Sequence, residues 1–407
     1  MKVLLSMSLF CLLTTSTINP PLNEERLPLR EGNGKMANLC FSAPDKFFPV
    51  PAVDDMPIDH LATKETVNLY KNLKKLLKKG VMFGHQDDLA YGVGWKYEAG
   101  RSDIKDVTGD YPAVYGFELG HLEIDSQINL DSVPFNKMKE LIRSAYERGG
   151  VITLSWHLNN PLTGKSAWDP APGTVKSILP GGDKNDKYQV WLNTVAEFVL
   201  DLKGSRNEYI PIIFRPFHEL NGSWFWWGKN HCTPEELNQL WKFTVSYLRD
   251  TKRVHNLLYA FNTDRFATKE EYLERYPGNE WVDVMGFDIY QRATGEQANA
   301  QFVSDLNRML ADLVSMATEK KKIPALTEFG FNALPDNTWW TKVFWKGIQS
   351  HKISYVLGWR NAGFKANNRT EYYVPYKGEA SAADFVKFFN EEKTLFQKEV
   401  TKEKIYK

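Results

Sequence analysis

The segment Phe214-Arg215-Pro216-Phe217-His218-Glu219 passes from apolar to polar residues and ends on a carboxylate, and Asn221-Gly222-Ser223-Trp224-Phe225-Trp226-Trp227-Gly228 follows almost at once. A carboxylic acid beside a wall of indoles suits the flat, uncharged face of a sugar ring. A second carboxylate closes Ile323-Pro324-Ala325-Leu326-Thr327-Glu328, just before Phe329 and Gly330. Apolar strands rarely deliver an ionisable group to their exit for packing alone. Cleaving a glycosidic bond with retention needs such a pair: one acid to protonate the leaving oxygen and one carboxylate to attack the anomeric carbon, about 5 to 5.5 Å apart. At that separation, with an effective dielectric near about 20, an ionised neighbour raises the other's proton affinity by roughly 3 kcal/mol, or about two pKa units. One of Glu219 and Glu328 is therefore expected to stay protonated near neutral pH. Arg215 and Arg360 are the cations expected to orient the two carboxylates, and Tyr290 is placed to donate a hydrogen bond to the nucleophilic one.

Elements that bring two strand exits together are legible along the chain. Eight short apolar runs recur: Val81–Phe83, Ala113–Phe117, Val151–Trp156, Ile210–Pro216, Leu257–Phe261, Val284–Ile289, Ala325–Glu328 and Tyr355–Trp359. Helix-like segments separate most of them: Val133–Arg148, Lys187–Leu202, Pro234–Thr251, Asn299–Glu319 and Trp339–Ser350, with Ala382–Phe396 at the end. Strand alternating with helix eight times predicts an α/β fold, a (β/α)8 TIM barrel, and runs that are continuously apolar mean that both sheet faces are covered. One catalytic domain is expected over residues 58–400. An amphipathic helix over Thr63–Lys79, with Val67, Leu69, Tyr70, Leu73, Leu76 and Leu77 on one side, is expected to close the barrel bottom. Chemistry on a barrel sits at the strand C-termini. Those exits carry His85, Gln86, Asp87, Glu118, His121, His157, Asn159, His218, Glu219, Asn262, Asp264, Asp288, Tyr290, Gln291, Glu328, Trp359, Arg360 and Asn361.

Composition narrows the partners. The 407 residues carry a net charge of +1 with no basic stretch that would hold a phosphate backbone, so nucleic acid is not an expected partner and a neutral substrate is. Aromatics make up 14% of the chain, with 13 Trp and 18 Tyr, more than a core needs, and the surplus lies near turns and carboxylates. Lys2 and the apolar run Val3–Leu13, followed by Thr14–Thr17, read as a secretory signal peptide over residues 1–17 rather than a membrane span, which needs about 20 apolar residues. A secreted or periplasmic location follows, and lipid anchoring at Cys11 is not expected because the bulky Phe10 precedes it. Residues 18–57, rich in proline, read as a linker. Cys40 and Cys232 are then the remaining cysteines, able to pair in an oxidising compartment but too few for a disulfide scaffold or a four-cysteine metal site. No phosphate-cradling glycine turn is present, no cofactor or metal is expected, and the chain is expected to be a monomer or weak dimer.

Several motifs together give the chain a specific resemblance. Phe83-Gly84-His85-Gln86-Asp87, Ser155-Trp156-His157, the Arg215–Glu219 motif with Gly222–Gly228, Gly286-Phe287-Asp288-Ile289-Tyr290, Thr327-Glu328-Phe329-Gly330 and Trp359-Arg360-Asn361-Ala362 resemble glycoside hydrolase family 26, the β-mannanase family, over Leu61 to Phe389. The resemblance implies retaining hydrolysis of β-1,4-mannosidic bonds in mannan, glucomannan or galactomannan, with endo action favoured over release of mannobiose from an end. It implies that Glu219 is the acid/base and Glu328 the nucleophile. It also implies that His157, His218, Trp224, Asp288, Tyr290, Trp359 and Arg360 line the sugar subsites. Trp168 and Trp226 are further sugar platforms to be tested.

Rival readings remain. His85, His157 and His218 at strand exits would suit a metal-dependent hydrolase. A barrel that binds glycans without turnover is another, and a mixed-linkage β-glucanase or β-1,3-xylanase of the same family a third.

Overall fold

The computed structural model describes residues 56–364 and 369–407. The leader over 1–17, the linker up to residue 55, Cys11 and Cys40 lie outside the described residues. Eight parallel strands form the sheet: β1 (Val81–Gln86), β2 (Val114–Glu118), β3 (Val151–Trp156), β4 (Ile212–Pro216), β5 (Leu257–Thr263), β6 (Val284–Gln291), β7 (Ile323–Phe331) and β8 (Tyr355–Gly358). Each pairs with the next in chain order, and β8 closes on β1 through Met82↔Tyr355 to His85↔Gly358. This is the (β/α)8 barrel expected from the alternating runs. Among the described residues no helix is long and apolar enough to cross a membrane.

Side-chain alternation along the strands builds two cores. Met82, Val114, Val151, Ile213, Leu258, Val284, Ala325 and Leu357 cluster with Leu69, Tyr70, Leu73 and Leu76 of the helix Lys64–Leu76. That helix therefore plugs the barrel bottom, as its stripe of apolar residues predicts. Alternate strand residues, such as Phe83, Phe117, Leu154, Phe214 and Phe287, pack outward into the layer under the helices. The helix Pro234–Ser246 shows how local sequence sets a boundary. The Thr233 hydroxyl accepts from the Glu236 amide, the Glu236 carboxylate accepts from the Thr233 amide, and Pro234 occupies the first turn where its missing N–H costs nothing.

Three elements depart from the periodicity. The segment expected as one helix over Ala382–Phe396 is a helix over Ala382–Phe389 and a short strand, Thr394–Leu395, that pairs with Val81 and Met82 at the start of β1. A helix over Gln397–Glu403 then follows. Burial of Phe396 against Phe83, stacked at 5.2 Å, wins over helix continuation. Tyr247–Thr251 and Trp340–Phe344 form π-type turns rather than α-helix. After β1 and β5 the connecting helices shrink to Asp103–Thr108 and Lys269–Leu273.

Candidate active site

Strand β7 contains a one-residue bulge at the point where chemistry is needed. Leu326 pairs with Phe287 of β6, but the next registered pair is Glu328 with Asp288, and β8 registers Val356 on Leu326 and Gly358 on Phe329. Leu326 and Phe329 both face the outer layer, so Thr327 and Glu328 are turned away from it together. Thr327 donates its hydroxyl toward Asp288 Oδ1 at 2.9 Å, while Glu328 is freed to lie at the mouth.

On the opposite wall, β4 ends at Pro216, and Phe217 and Glu219 adopt left-handed backbone with φ of 51° each. Such residues cost on the order of 1 kcal/mol each and persist only where their surroundings hold them. Phe217 is held by edge contacts to Trp226, Trp227 and Trp241 with ring centroids 6.0–6.4 Å away. The Trp227 indole donates to the His218 carbonyl at 2.9 Å. The indole of Trp224 folds over Gly222, where no Cβ would fit, and its N–H donates to Glu219 Oε2 at 2.6 Å.

The two glutamates meet. Glu219, Asp288 and Glu328 each present a carboxylate oxygen within 4.8 Å of the others. Glu328 is ion-paired to Arg215 Nη2 and accepts the Tyr290 hydroxyl at 2.8 Å on its other oxygen. Arg215 also reaches Asp288 at 3.1 Å and Asn262 at 3.0 Å, so one buried guanidinium ties β4, β5, β6 and β7 together. Among the described residues the carboxyl of Glu219 has no such cation. Burial, then the charges of Asp288, Glu328 and Asp264, hold it well above the usual carboxylate range, against the opposing Trp224 hydrogen bond. The elevation expected from Glu328 is therefore present, but burial is its larger cause and Asp288 contributes ahead of Glu328. Asp288 is likewise raised, by burial and by Glu328, with Arg215 opposing.

The remaining residues singled out by sequence fall at different depths. His157 and His218 meet Nε2 to Nε2 at 2.9 Å. Trp168, 47% exposed, lies parallel to the His157 ring at 5.3 Å. Trp359 is half-buried with its ring 6.3 Å from His157, and Trp224 is 39% exposed. These place an aromatic wall beside the carboxylates. Asp288 is wholly buried beneath them, both oxygens engaged by Arg215 and Thr327. Two expectations fail. Arg360 does not orient either glutamate: it pairs with Asp131 at 2.8 Å and Glu371 at 3.0 Å, because the β8 exit turns it toward the loop after β2. Trp226 is no sugar platform, being fully buried with its N–H on the Leu158 carbonyl. Cys232 is a buried thiol pushed up to about 11 by burial; its pairing with Cys40 lies outside the described residues.

The three histidines do not converge on one point. His85 is buried against Asp88 at 2.8 Å, and among the described residues the grouping close enough to share an ion is Glu219, Asp288 and Glu328. Sequence reasoning missed Asp131, Thr327 and Tyr373, whose ring packs on Tyr290 at 5.6 Å. Nothing in their spacing signals them, since all three act through partners distant in the chain.

A closed barrel with two adjacent glutamates at the exits of its fourth and seventh strands defines a hydrolase with a two-carboxylate centre. The profile of glycosyl hydrolase family 26 matches residues 58–358, and the chain belongs to that family. It is 33% identical over 356 residues to a mannan endo-1,4-beta-mannosidase of Bifidobacterium adolescentis, covering 82% of this chain and 35% of that protein. The chain thus spans about a third of that relative's length. A family 26 β-mannanase structure from Bacteroides ovatus is 45% identical, covers 85% of this chain and 98% of its own, and superposes with a TM-score of 0.80. An endo-β-1,4-mannanase from Cellulomonas fimi is 34% identical, covers 84% of this chain and 78% of its own, with a TM-score of 0.73.

Proposed function

We propose that the protein hydrolyses β-1,4-mannosidic bonds in mannan with retention, Glu219 serving as acid/base and Glu328 as nucleophile. The observation that carries this is that the two glutamates present carboxylate oxygens within 4.8 Å of each other, close enough for a direct displacement rather than one with a water between them. The names of the family relatives supply the mannan preference. In the first step a Glu328 oxygen bonds to the anomeric carbon as the bond to the leaving oxygen breaks, and Glu219 gives its proton to that oxygen. Arg215 and Tyr290 hold Glu328 and match its charge until it is esterified. Esterification removes one of the negative charges that raised Glu219. Glu219, now ionised, takes a proton from water, whose oxygen attacks the same carbon and releases Glu328. Two inversions restore the starting configuration.

His157, Trp168, Trp224 and Trp359 provide ring faces along the groove for the sugars on either side of the bond. Endo action is the mode supported by the relatives' names, and export by the leader pattern of Lys2–Leu13 is part of the same proposal. The test is purified protein on mannan, glucomannan and β-glucan with time-resolved products. Mixed manno-oligomers are expected, and Glu328→Ala should abolish release while retaining oligosaccharide binding. Release from β-glucan but not mannan, or an active Glu328→Ala, would overturn the reading.

A further inference from the structure

Glu118, at the exit of β2, is wholly buried, and four hydrogen-bond contacts converge on it. Its Oε1 accepts the amides of Gly120 at 2.6 Å and His157 at 2.7 Å, its Oε2 accepts the Ser155 hydroxyl at 2.6 Å, and the same Oε2 lies 2.8 Å from His157 Nδ1. Three of these contacts donate to Glu118, and in the fourth imidazole is the stronger base, so the shared proton sits on His157 Nδ1; Glu118 is then ionised, and a buried ion needs a countercharge. Among the described ion pairs the cation available to Glu118 is His157.

The other face of that imidazole supplies the second constraint. His157 Nε2 lies 2.9 Å from His218 Nε2, and two ring nitrogens at that distance share one proton, one donating and one accepting. If His157 carries both protons, its Nε2–H donates, and His218 must be neutral with its own proton on Nδ1. His218 Nδ1 is buried without a hydrogen-bond partner among the described residues, so no competing protein contact sets its protonation. His218 is also joined by one peptide bond to Glu219, and Phe225 lies against both imidazoles at 5.0–5.3 Å.

We infer that Glu118 is a positioning residue of the catalytic centre: by holding His157 as an imidazolium it fixes the tautomer of His218, the residue that precedes the acid/base. This rests on the reading of Glu219 as acid/base, although the proton arrangement itself does not. The surrounding electrostatics agree. Glu118 is held down at about 2, because the charge and hydrogen bonds of His157 and the Ser155 hydroxyl outweigh burial. Burial opposes charge on His157, but Glu118, with Glu328 and Asp131 further off, raises it above the ordinary imidazole value. His218 is pushed well below that value by burial, by His157 and by Arg215. One imidazole charged and its neighbour neutral is the arrangement a carboxylate on one side alone imposes.

The experiment is long-range proton–nitrogen NMR on full-length protein labelled at histidine, with His157 assigned by its loss in His157→Gln. At about pH 7.5 the wild type should show both His157 nitrogens protonated and His218 protonated on Nδ1 alone. In Glu118→Gln the His157 midpoint should fall by about one pH unit or more, and kcat/KM on mannohexaose by about tenfold or more. A neutral His157 in the wild type would overturn the inference whether or not the variant folds. So would an unmoved midpoint in Glu118→Gln. Because the spectra do not depend on turnover, a protein inactive on mannan would refute the proposed function while leaving the relay to be judged by its own signals.

Discussion

Replacing Trp224 by Phe isolates one hydrogen bond on Glu219, the proposed acid/base. The ring face is kept, while the N–H that donates to Glu219 Oε2 at 2.6 Å is removed. That donor stabilises the ionised form, so its loss raises further a pKa that burial and the neighbouring carboxylates already hold high. A hydrogen bond to a charged group contributes about 1.5–3 kcal/mol when buried. Trp224 is 39% exposed, which screens the interaction, so the low end, about 1.5 kcal/mol, is appropriate, equal to about one pKa unit. Glu219 must be protonated to act, so activity is lost as pH rises through its pKa. The alkaline limb of the kcat/KM profile, which reports the free enzyme, should therefore move up by about one pH unit in Trp224→Phe. Mannohexaose is the suitable substrate because its leaving sugar needs the proton. An alkaline limb that stays in place, or moves down, would show that this bond does not govern the acid/base, and the assignment of Glu219 would have to be abandoned.

Glu219→Gln should trade activity for stability. With the folded carboxyl raised above its unfolded value of about 4.3, the folded state holds the extra proton between the two values, and stability falls as pH rises through that window. The variant lacks this slope, so its melting temperature should exceed the wild type's at about pH 8 and the gap should close toward about pH 4; a gap that does not vary with pH would contradict the raised carboxyl. Leu73→Ala, in the helix that plugs the barrel bottom, should cost about 2–5 kcal/mol in urea unfolding with kcat nearly unchanged, because the buried side chain lies at the end of the barrel away from the carboxylates. A large loss of kcat at temperatures where the variant stays folded would argue against that separation.

Much of this architecture was legible because its signals are local. Eight continuous apolar runs fixed eight strands, and the helix-like segment from Pro234 is a helix in the structure, held at its start by a cap that needs only neighbouring residues. Strand ends were harder: β7 extends to Phe331 beyond its expected end at Glu328, since pairing with β6 and not composition decides where a strand stops. The break after Phe389 was invisible for the same reason, as the apolar Leu395 and Phe396 suit a helix face and a strand equally until Phe83 and Met82 claim them.

Glu219 and Glu328 could be named from the chain because a carboxylate closing an apolar run in a barrel has one end of the sheet to occupy. What composition and spacing determined was which groups reach the mouth. Tertiary structure alone decided which of them touch: Arg215 engages Glu328 while Arg360 turns to Asp131, Trp224 meets solvent while Trp226 is core, and a single bulge at Thr327 turns Glu328 toward Glu219. Identity is written residue by residue, but proton affinity and hydrogen bonding depend on distance and burial, and those exist only once residues 109 positions apart close on the same rim.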